Sequence, residues 1–460
     1  MAQLSEQVKR HIHFVGIGGI GMSGIARLFL CRGARVSGSD LKENKITAQL
    51  KKEGADVFTG HDAANISGAD LVVYSSAIAA ENPEIAAAKK QGVSLIKRAQ
   101  ALSLLMQDKI TVTVAGSHGK TTTTSLVSCL LLEAGLNPTV AIGGILKNID
   151  NNACSGEGEF FVAEADESDG SFLYYKPRYS IVTNIDREHL DYYGDFENEV
   201  AAFGKFIRRT GEGGCLFCCN DDAALKRILN GYRGKYVLFG LSEEAQVYPR
   251  NISVNGLNSE FDCYRGNKLV SRFCLSLAGR HNISNALAVI ALGLELGIEV
   301  KVIKRVLSEY KGAGRRTEIK FKNDQYLVID DYAHHPAEIK ATLAALRDVK
   351  PGRIIAVFQP HRFSRTKLLL EEFGRSFGLA DYVIISDIYP AGELPIEGVS
   401  AVNILDKIKE HSPAKEAIYL PKEEISAHIL RIMRPQDLVV TLGAGDIVRV
   451  CDELVEKIKG

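Results

Sequence analysis

The chain has 460 residues, 46% of them hydrophobic and 24% charged, with Lys+Arg and Asp+Glu balanced at 56 each. That length suits about three domains with stable cores, and the even charge argues against a nucleic-acid or anionic-membrane partner, which favours a basic excess. MAQLSEQVKRHIHFVG contains no signal-peptide core, no run approaches the roughly 18 apolar residues of a membrane span, and nine scattered cysteines suit a reduced, cytoplasmic protein.

In chain order, HIHFVG reads as a strand and GMSGIARLFLCRG as the helix that follows, with a second strand at 35–38. LVVYSSA and VSLIKRAQALSLLM continue the alternation as far as the polar joint Gln107-Asp108-Lys109. ITVTVAG and a helix ending at Gly135 open a second series, which includes the apolar runs FFVAE and IVTNI. Short strand-like pieces at 236–275 suggest a β region added to this middle domain. After the glycine-bearing hinge KGAGRR at 311–316, YLVIDD, HPAEIKATLAAL, IIAVFQP, YVIISD and LVVTLG form a third series. Strands separated by helices imply an α/β fold with mostly parallel sheets covered on both faces. The expected domains are 1–108, 109–313 and 314–460. Cys215, Cys218 and Cys219 include one C-x-x-C spacing without a second pair nearby, so buried thiols are expected there, not a zinc site.

Two glycine loops carry the chemistry. Gly16-Ile17-Gly18-Gly19-Ile20-Gly21 matches G-x-G-x-x-G between a strand and a helix, where backbone amides meet a pyrophosphate. Asp40, ending the next strand, stands where an acid often takes a ribose hydroxyl. By itself this loop suggests a nicotinamide-dependent oxidoreductase, or a glycine-rich turn with no ligand. The second loop, Gly116-Ser117-His118-Gly119-Lys120-Thr121, is a shortened phosphate loop, with Val114 where the longer pattern has its first glycine. Its amides form an anion nest, Lys120 neutralises phosphate oxygens, the Thr121 hydroxyl suits Mg²⁺, and Thr122 lies at the helix start. FFVAEADESDGSF then ends a strand in Glu164, Asp166, Glu167 and Asp169, and IVTNIDREHLDYYG ends another in Asn184, Asp186, His189 and Asp191.

GSHGKTT, the acid-ended strand and NIDREHLD together resemble the Mur ligases, ATP-dependent amide-forming enzymes of peptidoglycan synthesis. HNISNALAVIALG, GAGRR and IDDYAHHP are similar to that family's adenine-side, hinge and third-domain motifs. HFVGIGGIGMSGIA and PHRFSRT resemble the member that adds L-alanine. The likeness spans nearly the whole chain. It implies a Rossmann-like N-terminal domain for a UDP-sugar, a P-loop-type central ATPase domain and a Rossmann-like C-terminal domain for an amino acid. The substrates implied are UDP-N-acetylmuramate, L-alanine and ATP, with two Mg²⁺ ions, for which Mn²⁺ could substitute.

Carried over residue by residue, Lys120 would hold the transferring phosphate. Thr121, Glu164 and His189 would be the metal ligands. Asn282 and Asn285, three apart on one helix face, would serve the adenine side. Arg316 would reach the γ-phosphate and Asp331 the ribose, with Arg315 a weaker match and Thr317 standing where many relatives have an aromatic residue. Gly18, Gly19, Ile20 and Gly21 would meet the UDP pyrophosphate, with Asp40, Ser75 and Ser76 around the nucleoside and linking phosphates. Tyr332, His334, His361, Arg362 and Arg365 would surround the amino acid, the two arginines clamping its carboxylate, while His335 packs or caps a helix. Several relatives place a carbamylated lysine fourteen residues after the metal histidine. Here that position is Phe203, with Lys205 two further on, so none is expected. A sister ligase that attaches a preformed peptide to the same sugar is the nearest alternative, and PHRFSRT argues against it. A nucleotide-gated binding protein that forms no amide is another. Oligomeric state is not readable from the sequence.

Overall fold

The structure is a computed structural model that describes residues 10–75, 78–211 and 213–459. Ser76 lies outside the described residues. Among those residues no helix is long and apolar enough to cross a membrane.

The N-terminal sheet has five parallel strands: β1 (His11–Val15), β2 (Arg35–Asp40), β3 (Asp56–Thr59), β4 (Leu71–Tyr74) and β5 (Ser94–Lys97). Their order is β3-β2-β1-β4-β5. The winding reverses between β1 and β4, and in such sheets ligands bind beyond the carboxyl ends at that reversal. Gly16 to Gly21 follows β1 and Ser75 follows β4, so both segments border this crevice. The stretch VSLIKRAQALSLLM divides into β5 and the helix Arg98–Leu105.

The second sheet contains β6 (Ile110–Ala115), β7 (Thr139–Leu146), β8 (Asn151–Cys154), β9 (Phe160–Glu164), β10 (Tyr179–Val182), β11 (Cys215–Cys219) and β12 (Tyr236–Phe239). It continues into β13 (Val247–Asn255), β14 (Asn258–Arg265) and β15 (Lys268–Leu275), the β region expected at 236–275. The order is β15-β14-β13-β12-β11-β10-β6-β9-β7-β8. β6 lies between β9 and β10, parallel to both, with Val114 level with Glu164 and with Ile181. Three segments distant in sequence therefore leave the sheet side by side: the phosphate loop, the acid-rich turn and the segment carrying His189. Cys215, Cys218 and Cys219 are buried free thiols of β11. Burial pushes the Cys218 thiol well up, away from the thiolate a metal needs.

The third sheet is ordered β16-β17-β21-β18-β19-β20. Its strands are β16 (Glu318–Lys322), β17 (Tyr326–Asp331), β18 (Arg353–Phe358), β19 (Tyr382–Ile385), β20 (Glu416–Tyr419) and β21 (Asp437–Leu442), with only β16 antiparallel to its neighbour. Successive strand residues point to opposite faces. Ile329 and Phe358 enter one apolar layer with Phe373 and Phe377, while Val328 and Val357 enter another with Ile425 and Leu454. Burial on both faces explains why these strands are continuously apolar in sequence.

Two compact units are distinguishable. One comprises Met1–Arg250, Cys263–Ser271 and Ser284–Lys311, and so holds the first sheet and most of the second. The other comprises Asn251–Asp262, Arg272–Ile283 and Gly312–Gly460.

Candidate functional site

The shortened phosphate loop has a structural reason. Val114 is fully buried inside β6, so the strand occupies the position that a longer loop gives to its first glycine. The two remaining glycines are both required by the fold. Gly116 has φ 134°, and a Cβ there would stand 2.1 Å from Thr183 Oγ1. Gly119 has φ 83°, and its Cβ would stand 2.6 Å from Asn285 Oδ1, so Asn285 lies directly against the loop. Ser117 and His118 bind the loop to the segment after β10. Ser117 Oγ accepts the Asp186 amide at 2.8 Å, and His118 Nε2 meets Asp186 Oδ2 at 2.9 Å. The His118 amide donates to Asn184 Oδ1 at 2.9 Å, and Thr183 Oγ1 donates to the His118 carbonyl at 2.6 Å.

Lys120 opens the helix Lys120–Glu133. Its Nζ donates to the carbonyls of Gly116 at 2.5 Å and Ser117 at 3.1 Å, and to Glu167 Oε1 at 2.6 Å. Burial disfavours the ammonium, but the Glu167 carboxylate outweighs it and raises the Lys120 pKa above its ordinary value. Lys120 therefore remains a cation. Thr121 and Glu164 both border the middle of β7: a Cβ on Gly144 would lie 3.2 Å from Thr121 Cγ2, and Glu164 Oε1 accepts the Gly143 amide at 2.9 Å. Thr122 is buried in the first helical turn.

His189 does not stand alone. One donor atom each from Glu167, Glu188 and His189 falls within 4.8 Å of the others. Glu167 Oε2 is buried and has no hydrogen-bond partner among the described residues. An unpartnered buried carboxylate oxygen costs about 1–3 kcal/mol or more, and a divalent cation would remove that cost. Carboxylate oxygens and one imidazole nitrogen suit Mg²⁺ or Mn²⁺, so the residues present fit the ions implied by the sequence. Glu188 was given no role by the motif reading, and Glu167 appeared there only as one of four acids. The available signal was adjacency: Glu188 directly precedes His189. Phe203 is fully buried, edge-on to Phe172 with ring centroids 5.2 Å apart, so its position offers no lysine to the site.

The first glycine loop is held by the ends of β2. The Gly16 and Ile17 amides donate to the Ser39 carbonyl at 2.8 and 2.9 Å, and the Gly18 amide to Asp40 Oδ2 at 2.9 Å. Asp40 thus secures the loop itself. The helix Ile20–Cys31 begins after Gly19, and the amides of Ile20, Gly21 and Met22 lie in its first turn, where a helix supplies no acceptor. The Ser75 carbonyl accepts the Ile78 amide at 3.1 Å just beyond β4.

The candidates from Arg315 onward lie around the third sheet. Asp331 Oδ2 accepts the Thr317 amide at 2.6 Å and Thr317 Oγ1 at 3.0 Å, and Oδ1 accepts the Ala333 amide at 2.8 Å. A hydroxyl at 317 therefore orders the hinge by binding the Asp331 side chain. Arg315 is committed to Asp330 and to the Gly443 and Gly445 carbonyls. The Tyr332 ring lies 5.2 Å from the Arg315 guanidinium and 5.0 Å from that of Arg316. His335 caps the helix Pro336–Asp348, accepting the Ala337 amide. His334 stands edge-on to His361, which stacks on Tyr389 with centroids 5.6 Å apart. Burial, with His334 and the two nearby arginines, pushes His361 down to about 3, so its ring is neutral. Arg362 has φ 72° and caps the short helix Phe363–Leu368 from outside, while Arg365 lies within it. Arg365 Nη1 is buried with no hydrogen-bond partner among the described residues. Asn282 and Asn285 both lie on the helix Arg280–Glu295, and Asn282 Nδ2 donates to the Ala278 carbonyl at 2.8 Å.

Three family models match the chain in order: the Mur ligase family catalytic domain at residues 11–110, the Mur ligase middle domain at 114–293, and the Mur ligase glutamate ligase domain at 315–445. A UDP-N-acetylmuramate–L-alanine ligase of Desulfatibacillum aliphaticivorans is 48% identical over 96% of this chain and 97% of its own. One of Pelotomaculum thermopropionicum is 47% identical over 98% of each. Among solved structures, the UDP-N-acetylmuramate–alanine ligase of Thermotoga maritima superposes with a TM-score of 0.85 at 32% identity, covering 98% of this chain and 99% of that one. A murein peptide ligase of Psychrobacter arcticus shares the fold, with a TM-score of 0.72 at 24% identity over 97% of this chain and 98% of that one.

Proposed function

The chain belongs to the Mur ligase family, and from that premise we propose that it joins L-alanine to the carboxylate of UDP-N-acetylmuramate at the expense of ATP. The carboxylate attacks the γ-phosphate to give an acyl phosphate and ADP. The alanine amine then displaces phosphate, leaving an amide for peptidoglycan precursor synthesis. Catalysis of this kind rests mainly on positioning and charge neutralisation.

The observation that carries the reading is the order β9-β6-β10, which gathers Lys120, Glu167 and His189 from three separate segments. Lys120 is assigned to the transferring phosphate, with the loop amides around the β-phosphate and Thr122 at the helix start. Thr121, Glu164 and His189, with Glu167 and Glu188 beside them, would hold two Mg²⁺ or Mn²⁺ ions, which offset the repulsion between a carboxylate and a polyphosphate. Asn282 and Asn285 are assigned to the adenine side, Arg316 to the γ-phosphate and Asp331 to the ribose. Gly18 to Gly21, with Asp40 and Ser75 at the crevice rim, receive the UDP portion. Arg362 and Arg365 take the alanine carboxylate, with Tyr332, His334 and His361 around it. The protein is assigned to the cytoplasm, where free thiols such as those of β11 stay reduced.

The test is phosphate release across an amino-acid panel at saturating UDP-N-acetylmuramate. Release that requires both the UDP-sugar and L-alanine supports the reading. Release without an amino acid, or a stronger response to a preformed peptide, overturns it.

A further inference from the structure

Arg98 follows β5 directly and opens the helix Arg98–Leu105, so it stands at the carboxyl edge of the first sheet. The reversal of winding brings it to the first glycine loop. A Cβ on Gly21 would lie 3.1 Å from Arg98 Nη1 and 3.4 Å from its Cδ. On its other side, Arg98 Nη2 donates to Asp166 Oδ2 at 2.7 Å. Asp166 belongs to the acid-rich turn after β9: its Oδ1 accepts the Ser168 amide at 3.0 Å, and its carbonyl accepts the Phe172 amide at 3.0 Å. The next residue is Glu167, the partner of Lys120.

The electrostatics are unusual for a resting ion pair. Gly21 lies in the first turn of the helix Ile20–Cys31, where exposed amides carry the positive end of the helix dipole. A guanidinium held against that end is repelled by it, and an anion placed between the two is attracted by both. Asp166 offsets the guanidinium charge by a direct hydrogen bond, and Asp169 and Glu164 add to the negative field that keeps it charged.

We propose that Arg98 is a substrate-binding residue for the UDP-sugar, its guanidinium donating to an oxyanion of that substrate above Gly21 while Asp166 serves as its counter-ion. The inference rests on the reading that the first glycine loop receives the UDP-sugar. Two groups on that substrate carry the required oxyanion chemistry, the pyrophosphate and the sugar's carboxylate.

The test is calorimetric titration of UDP-N-acetylmuramate, UDP-N-acetylglucosamine and uridine into the full chain without ATP. Arg98→Gln weakens UDP-N-acetylmuramate by about tenfold or more, the scale of a lost charged hydrogen bond, and leaves uridine unchanged. Arg98→Lys, which keeps the charge, falls between Arg98→Gln and the parent. A loss shared by UDP-N-acetylglucosamine assigns Arg98 to the pyrophosphate, and a loss confined to UDP-N-acetylmuramate assigns it to the carboxylate. Asp166→Asn keeps Arg98 and retains the UDP-sugar affinity. An equal loss in Asp166→Asn, or in uridine binding, makes Arg98 a structural ion pair and overturns the proposal. Gly19→Val probes the underlying reading separately, because Gly19 has φ −68° and its Cβ meets nothing closer than 3.5 Å. If Gly19→Val loses the UDP-sugar and Arg98→Gln keeps it, only the Arg98 inference fails. If Gly19→Val keeps it, the loop assignment itself fails.

Discussion

Lys120 Nζ and Glu167 Oε1 stand 2.6 Å apart, so the ammonium assigned to the phosphate of ATP already has a buried anionic partner. Phosphate must displace that carboxylate, and a divalent cation is its natural new partner. Glu167→Gln should therefore separate two effects: ADP binds more tightly in EDTA, where Lys120 is released from its anion, while Mg²⁺-dependent turnover falls by about tenfold or more. Lys120→Ala should abolish phosphate release and spare UDP-sugar binding. Equal losses of nucleotide affinity with and without metal in Glu167→Gln would show that Glu167 only braces the turn.

A second buried acid sustains the first glycine loop. Glu84 has no exposed side-chain surface and accepts from Ser39 Oγ at 2.6 Å and Asn65 Nδ2 at 2.7 Å, with His61 Nδ1 at 3.1 Å and His13 Nε2 at 3.5 Å. Burial alone would raise its pKa; hydrogen bonds from His13, Ser39 and Asn65 prevail and hold it down at about 2, from an ordinary 4.5. A depressed carboxylate stabilises the fold fully above the unfolded pKa, and that contribution is lost as pH falls towards 2. The scale is about 3 kcal/mol. Glu84→Gln should therefore unfold at lower temperature near neutral pH, with the gap to the parent closing below about pH 4.5. Thermal melts at graded pH would show this; a gap that persists unchanged at about pH 2 contradicts it.

The sequence made the two loops legible because each is a local pattern: a strand, glycines at fixed offsets and a helix start. It also exposed Val114 as an anomaly, which burial of that residue inside β6 resolves. The partners of those loops were less visible. Spacing does not say which acid of EADESD turns inward, since the turn after β9 has no helical or strand period, so Glu167 was passed over for a metal role. Arg98 reads as one more basic residue at a helix start, and only the order β3-β2-β1-β4-β5 brings it to Gly21. For the clamp at Arg362 and Arg365, spacing does not show that Arg362 adopts φ 72° just outside the helix that contains Arg365.

Glu199 makes a pH dependence of opposite sign. Both its carboxyl oxygens are buried without a hydrogen-bond partner among the described residues. Burial, then Glu167, Glu188 and Asp186, push it up to about 8, against a smaller pull from Lys120. Between the ordinary 4.5 and about 8 the folded chain retains a proton that the unfolded chain releases, so stability falls as pH rises through that window. Glu199→Gln removes the penalty. In metal-free buffer its stability advantage should grow from little near pH 4.5 to a few kcal/mol near pH 8. Chemical denaturation at several pH values checks this, and an advantage independent of pH would sink it.

Arg365 offers a way to distinguish binding from bracing in the proposed amino-acid site. Its Nη1 is buried and unpartnered among the described residues, an arrangement that costs the chain stability, about 1–3 kcal/mol for a polar group and more for a charged one. A carboxylate placed against it recovers that cost through a charge-assisted hydrogen bond. The neighbouring His361 is held neutral at about 3, so it adds no positive charge to repel the alanine amine. Arg365→Met removes both the penalty and the carboxylate partner. The variant should melt at the same temperature as the parent or higher, while the KM for L-alanine rises roughly tenfold to a hundredfold and the KM for ATP stays unchanged. Arg365→Lys should recover only part of the alanine affinity, because an ammonium cannot present two parallel donors to a carboxylate. A lower melting temperature with an unchanged alanine KM would mean that Arg365 braces its helix and that the carboxylate is held elsewhere.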